Sequence, residues 1–296
     1  MKTARIPGIV LAGLLLALPR ADAARKVLAL AEVKITDSVA AAAKKDGSHA
    51  ALTRVREAID GQLSDAFNAT RKFEIAARGD LDALQEEKAL TGEPLVAAKA
   101  DYLVVPLIDD FRDFSRTAAF PGLGKAVTKR KIRLGMVVRI YDRKTQRMVE
   151  SVSLHIEAAD VEEHVRRAAG GRPYSDELLR EIARRAAEET ARRVVDVLYP
   201  ARVVGLAGKE AVINRGEGTG VAPGQLWEIF APGGEMIDPD TGESLGCNEV
   251  KVGVLRIERV TPKFAAGTLL ENRGVRKGFV ARRKEPAEKQ PAPSGE

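Results

Sequence analysis

Between Val212 and Gly246 the chain reads VINRGEGTGVAPGQLWEIFAPGGEMIDPDTGESLG, short apolar-alternating runs separated by clusters of Gly, Pro, Asp and Asn. A half-buried strand needs apolar residues at alternate positions. The turns between strands need residues that tolerate positive φ or fix it, so this stretch predicts a small all-β unit. Its glycines raise a second reading. Gly216, Gly218 and Gly220 resemble a truncated dinucleotide fingerprint, in which glycines let the backbone approach a pyrophosphate. That chemistry also needs a helix directly after the loop, whose N-terminus holds the anion. Here strand patterns flank the glycines and the spacing is wrong, so turn glycines are expected.

The other candidate motifs fail on spacing. Gly122-Leu123-Gly124-Lys125 looks like the end of a phosphate loop. Ala119 stands where that loop needs its first Gly, and Ala126 where it needs Ser or Thr. Asp238 to Glu243 offers three carboxylates in six residues. A calcium loop would place its Gly sixth and a bidentate Glu further on, whereas Gly242 is fifth, so a hairpin tip is expected. His49, His155 and His164 share no metal-ligand spacing, and no G-x-S-x-G elbow exists. Cys247 is the single cysteine, which rules out an intrachain disulfide and reads as a small core residue in a β-hairpin. No catalytic, cofactor-binding or metal residue is assigned, and no enzyme is expected.

The N-terminus is a targeting signal by its pattern. Lys2 and Arg5 precede an apolar run from Ile6 to Leu18, and Ala21-Asp22-Ala23 is a small-x-small cleavage site. Residues 1–23 are read as a secretory signal peptide cut between Ala23 and Ala24, which places the mature chain in the periplasm or against the outer membrane. The apolar run is shorter than the roughly 20 residues that span a bilayer. No lipobox Cys follows it. Cleavage removes three positive residues and one negative, so the net charge of +6 becomes +4. Basic and acidic residues are interspersed and aromatics amount to 4%, which excludes the footprint of a nucleic-acid binder.

Periodicity orders the rest. Lys26 to Val33 and Phe73 to Ala77 read as short strands, with Lys34 to Gly47 a loop between them. Leu52 to Asn68 is an amphipathic helix with Leu52, Val55, Ile59, Leu63, Ala66 and Phe67 on one face. Asp80 starts a further helix to about Leu90, and Ala97 to Ala100 a helical turn. Tyr102 to Ile108 is a strand in which Pro106 implies an edge or a bulge. Lys131 to Tyr141 and Met148 to Ile156 form a hairpin about an Asp142–Gln146 turn. Phe111 to Lys125 is read as a loop exposing Phe114, Phe120 and Leu123, a candidate partner surface. Ala158 to Gly171 is a helical turn or loop. Ser175 caps a helix from Asp176 to Leu198 with Leu179, Ile182, Ala183, Ala186, Thr190, Val194 and Val197 inward. Tyr199-Pro200 ends that helix and marks a boundary. The expected organisation is an α/β (α+β) domain over 24–199, its sheet flanked by helices, then a small all-β barrel over 200–284. Residues 285–296 form a polar, Pro-rich tail.

Two regions resemble known envelope modules. The F-E-x-x-x-R-x-D-L run (Phe73, Glu74, Arg78, Asp80, Leu81) followed by Glu86 or Glu87, and the R-I-Y-D-x-x-T turn from Arg139 to Thr145, are similar to the CsgG-like family. That family includes the curli secretion channel subunit and the periplasmic domain of LpoB-type penicillin-binding-protein activators. The V-I-N-R-G-x-G-x-G-V-x-x-G and D-P-D-T-G-E-x-L-G runs resemble the C-terminal barrel of the flagellar protein FlgT. The resemblance implies no active site and no cofactor. It implies protein partners in the envelope, at the outer membrane or peptidoglycan, and a homo-oligomeric ring. A scaffolding or regulatory role is the leading expectation, with a subunit of an outer-membrane secretion channel as the alternative. The segment 109–130, with Pro121, Gly122 and Gly124 in its middle, shows little of the alternation a membrane hairpin needs, and 155–173 is heavily charged.

Overall fold

A computed structural model describes residues 25–76, 100–120, 125–165 and 177–284. The signal segment with Ala23 and Ala24, Leu123, the run from Arg78 to Glu87, Ser175 and the tail lie outside the described residues.

The fold is α/β in the mixed sense, with two separate sheets. The first contains β1 (Lys26–Leu30), β2 (Lys34–Ile35), β3 (Phe73–Ile75), β4 (Tyr102–Phe120), β5 (Lys125–Asp142) and β6 (Arg147–Val165). Its order is β3-β1-β4-β5-β6, with β2 also on β4. β1 runs parallel to β3 and β4, while β4, β5 and β6 form an antiparallel meander. Helices α1 (Asp37–Asp46), α2 (His49–Ala69) and α3 (Glu177–Leu198) share one core with it. Ile132, Leu134, Met136, Val138 and Ile140 alternate along β5 and are all buried. They meet the buried stripes Leu52, Val55, Ile59, Leu63 and Phe67 of α2 and Ile182, Ala183, Ala186 and Val194 of α3. The periodicities of 2 and 3.6 thus place these residues where the sequence pattern does. Thr190 sits in the same stripe, fully buried, with no acceptor for its hydroxyl. Thr190→Val removes that unsatisfied donor at equal branching. It is expected to raise stability by about 1 kcal/mol, read as a higher denaturant midpoint at unchanged slope.

Four expectations for the first unit are corrected. Residues 34–47 are not a loop: β2 is followed by α1, an Ala-rich helix with Asp37 in its first turn, Lys44 and Lys45 in its last, and Gly47 at φ 80 as C-cap. The charges complement the helix dipole and the glycine supplies the left-handed cap. From Tyr102 to Ile108 β4 is an interior strand, not an edge. Pro106 is tolerated because β1 pairs with it only up to Val104 and β2 only from Leu107, leaving a gap in the ladder; the bulge lies beyond, between Ile108 and Asp110. Residues 158–165 continue β6 rather than form a helical turn or loop. The fourth is the Phe111–Lys125 segment, which is strand rather than loop as far as Phe120.

The second sheet contains β7 (Val203–Ala207), β8 (Glu210–Ile213), β9 (Leu226–Ile237), β10 (Ser244–Val260), β11 (Ala265–Asn272) and β12 (Val280–Arg283), in the order β12-β9-β10-β11-β8-β7. All its ladders are antiparallel. Trp227, Ile229, Leu255, Ile257 and Leu269 belong to its own core. It is not the closed barrel expected. The edge strands β7 and β12 are short, and their meeting is a single bridge, Arg202 to Val280, with backbone bonds from Val203 to Phe279 and from Ala281 to Ala201. A closed barrel needs a continuous ladder there. The β9–β10 turn is the hairpin tip anticipated: the Asp238 carboxylate accepts the Asp240 backbone N–H at 2.8 Å, and Gly242 takes φ 71. Cys247 lies on β10, opposite Glu235 in register.

Candidate functional site

The segment that follows β8, Asn214 to Gly220, returns to the first unit and settles on the ends of α2 and α3. Gly218 and Gly220 have φ 74 and 76, which L side chains rarely adopt. A Cβ at Gly218 would overlap the carbonyl oxygen of Ala69, the last residue of α2. One at Gly220 would stand 2.5 Å from Cδ of Arg192 on α3. The glycines therefore permit both a turn and a close approach. What they approach is a helix end and an arginine stem of the same chain, not a phosphate.

Charge completes this junction. Arg215 is fully buried, an expensive position for a cation unless it is paired. Its Nη2 donates to Asp196 Oδ1 at 3.0 Å and to the Tyr199 carbonyl at 2.6 Å. Its Nε and Nη1 have no acceptor. Burial pushes its pKa below the usual arginine value, with Asp196 opposing. Asp196 also accepts Arg192 Nη1 at 3.2 Å, and Arg192 is held by Glu189 one turn back. Lys72, in the link from α2 to β3, donates to the Asn214 carbonyl at 2.8 Å. Its pKa is lowered by burial first and by Arg215 second.

The Lys72 shift has a defined sign. A lysine whose folded pKa lies below its unfolded value releases its proton on folding, so stability rises with pH between the two values. Lys72→Met is expected to remove that rise. Denaturation of the wild type should show stability increasing from the lowered Lys72 pKa towards 10.5, and the variant should be flatter across the same window.

Beside the junction a cleft of about 270 Å³ separates α3 from β12, lined by Arg192, Arg193, Asp196, Trp227, Arg282 and Arg283. Most of its charge is committed locally. Arg192 and Arg193 both bond Glu189, and Arg282 bonds Glu249 and lies over the Phe230 ring. Among the described residues no group of three or more His, Cys, Asp and Glu stands close enough to hold a metal ion. His49 opens α2, and His155 and His164 lie on β6.

The expected partner loop is a pair of strands instead. β4 runs unbroken to Phe120 and β5 restarts at Lys125, in register from Asp110 opposite Gly135 to Phe120 opposite Lys125. β6 follows β5 as far as Val165 opposite Lys125. Arg130 anchors this extension by donating to Asp113 through Nε at 2.9 Å and Nη2 at 2.6 Å, both side chains nearly buried. Phe114 lies on β4 with 57% of its surface exposed, as its candidacy requires. Phe120 ends the strand, and Leu123 is not among the described residues. The structure thus supplies one exposed aromatic from the proposed trio. The sequence reading missed Arg215, Asp196 and Lys72. The only local hint was Arg215 itself, a long cation directly before a run of glycines.

No family model matches the chain, and no curated protein does. Solved structures similar to it include the hypothetical protein CT253 from Chlamydia trachomatis, at 14% identity and a TM-score of 0.35, covering 60% of this chain and 99% of that one. A minor lipoprotein from Acinetobacter baumannii matches at 12% identity and a TM-score of 0.28, over 57% and 91% of the two chains. The PelC dodecamer from Paraburkholderia phytofirmans matches at 12% identity and a TM-score of 0.25, over 58% and 86%. At these scores the likenesses assign no function.

Proposed function

We propose that the chain is an exported, non-enzymatic envelope protein that scaffolds or regulates an assembly through protein contacts. In this reading residues 24–199 are a CsgG-like domain and residues 200–284 a FlgT-type module. The observation that supports it best is the seating of the second sheet on the first unit, with a fully buried arginine and glycines that admit no side chain. A fixed angle between two sheets lets one partner touch both with little further loss of conformational freedom. The test is crosslinked pull-down from the envelope with size analysis of the purified protein. A discrete envelope partner and a mature N-terminus at Ala24 are expected. An uncleaved cytosolic chain would overturn the reading.

A channel subunit is the second reading, and one observation favours it. β4, β5 and β6 have 19, 18 and 19 residues, whereas a membrane-spanning strand takes about 9–11. Against it, Arg112, Arg116, Lys129 and Lys131 are exposed on that extension, and cations on a lipid-facing surface are costly. Reproducible ring-sized conductance in liposomes would establish the channel.

A further inference from the structure

Phe114 stands on the outer edge strand of the extension, flanked by cations along β4 and on β5. Along β4, Arg112 and Arg116 lie two residues either side of it and so share its face. On β5, Lys131 is its register partner, while Arg133 and Lys129 are the partners of Arg112 and Arg116. All five are exposed. Among the described residues two acids reach these cations. Asp110 bonds Arg133 at 3.0 Å and lies 3.8 Å from Arg112, and Glu157 on β6 bonds Lys131 at 2.7 Å. Arg116 and Lys129 face each other directly, and among the described residues neither is paired with an acid. Like charges directly opposite in a sheet repel, so this pair is held at a cost to the fold. On the reverse side of the same strands Ile132 and Ala158 are buried and the Asp113–Arg130 pair is nearly so. The exposed side therefore carries five cations against two acids among the described residues, with an aromatic on its β4 edge.

We infer that this face of the β4–β6 extension docks on an anionic phospholipid surface, without insertion. Charge complementarity carries the choice of partner. Several cations spread over adjacent strands match a plane of headgroups better than a single acidic side chain. An aromatic ring among them belongs at the headgroup level of a bilayer. The placement also gives the scaffold of the preceding section a membrane-facing side; the inference rests on that reading only for where the lipid would be met, since vesicle binding is measured on the purified protein.

The test is co-sedimentation of the mature chain with phosphatidylglycerol-containing vesicles, with neutral phosphatidylcholine vesicles as reference. Binding to the anionic vesicles that falls as salt rises is expected, because screening weakens exposed charge. Arg116→Glu with Lys129→Glu should lower the partition at least about 30-fold, given the contribution of each basic residue near such a surface. Arg116→Glu alone places a carboxylate opposite Lys129, so it should weaken binding while leaving the melting temperature equal or higher. That separates loss of docking from loss of fold. Equal binding to neutral vesicles, or wild-type binding by the double variant, would overturn the inference. So would no vesicle binding together with self-association, or capture of an acidic protein, that the double variant abolishes, since the face would then serve a protein partner.

Discussion

Gly218→Ala is expected to lower stability by about 4 kcal/mol and to split one cooperative melting transition into two. Two costs add. The residue holds φ 74, where a non-glycine loses about 1–2 kcal/mol. Its Cβ would also overlap the Ala69 carbonyl oxygen, a backbone atom that no rotamer change can move aside. Relief requires the Asn214–Gly220 segment to lift from the end of α2, and forcing atoms into a filled site costs about 1–3 kcal/mol. Lifting it also exposes the junction that Arg215 and Lys72 bridge. Gly208→Ala is the control. It too has positive φ, 58, but nothing stands within 4 Å of its Cβ, so only the backbone cost of about 1–2 kcal/mol applies. Calorimetry of both variants checks the argument. Equal losses at the two sites would mean that the junction has room to spare and does not fix the two sheets relative to each other.

The same glycines show where local reading of the chain stops. Their conformation was legible: strand patterns on both sides made them turns, and Gly218 and Gly220 have positive φ. Their partner was not, because Ala69 and Arg192 are remote in sequence. β5, α2 and α3 were legible because each buries one face, so their apolar residues repeat at the strand or helix period. The outer part of β4 was not. From Arg112 to Phe120 its described side chains are mostly exposed and no apolar face develops, so it reads as a loop. It is held instead by register with β5 and by the Asp113–Arg130 pair, long-range features that composition does not record. α1 was passed over for a related reason. Only Val39 and Ala43 are buried on it, too few for a stripe, although its terminal charges and Gly47 were readable helix signals. The open seam of the second sheet depends on how many residues β7 and β12 share, which strand patterns do not specify.

Removing Asp196 should cost more than removing the arginine it serves. Arg215 is fully buried and keeps two donors without acceptors, so its burial is already unfavourable. Asp196→Ala would leave that cation with only the Tyr199 carbonyl. Breaking a buried pair from one side typically costs about 3–5 kcal/mol. Asp196 is 39% exposed, so water screens part of the interaction and about 3 kcal/mol is expected. Arg192 would be less affected, because Glu189 still holds it. Arg215→Met fills similar space, leaves no unpaired donor and leaves Asp196 with Arg192, so its expected effect is within about 1 kcal/mol of zero. It also removes the second cause of the lowered Lys72 pKa, so the alkaline rise in stability should shift to higher pH. The double variant decides the matter. If the cost of Asp196→Ala is the stranded charge on Arg215, Asp196→Ala with Arg215→Met should regain most of the loss. A double variant as unstable as the sum of the two singles would show that Asp196 supports the end of α3 by itself, and that the buried arginine does not depend on it.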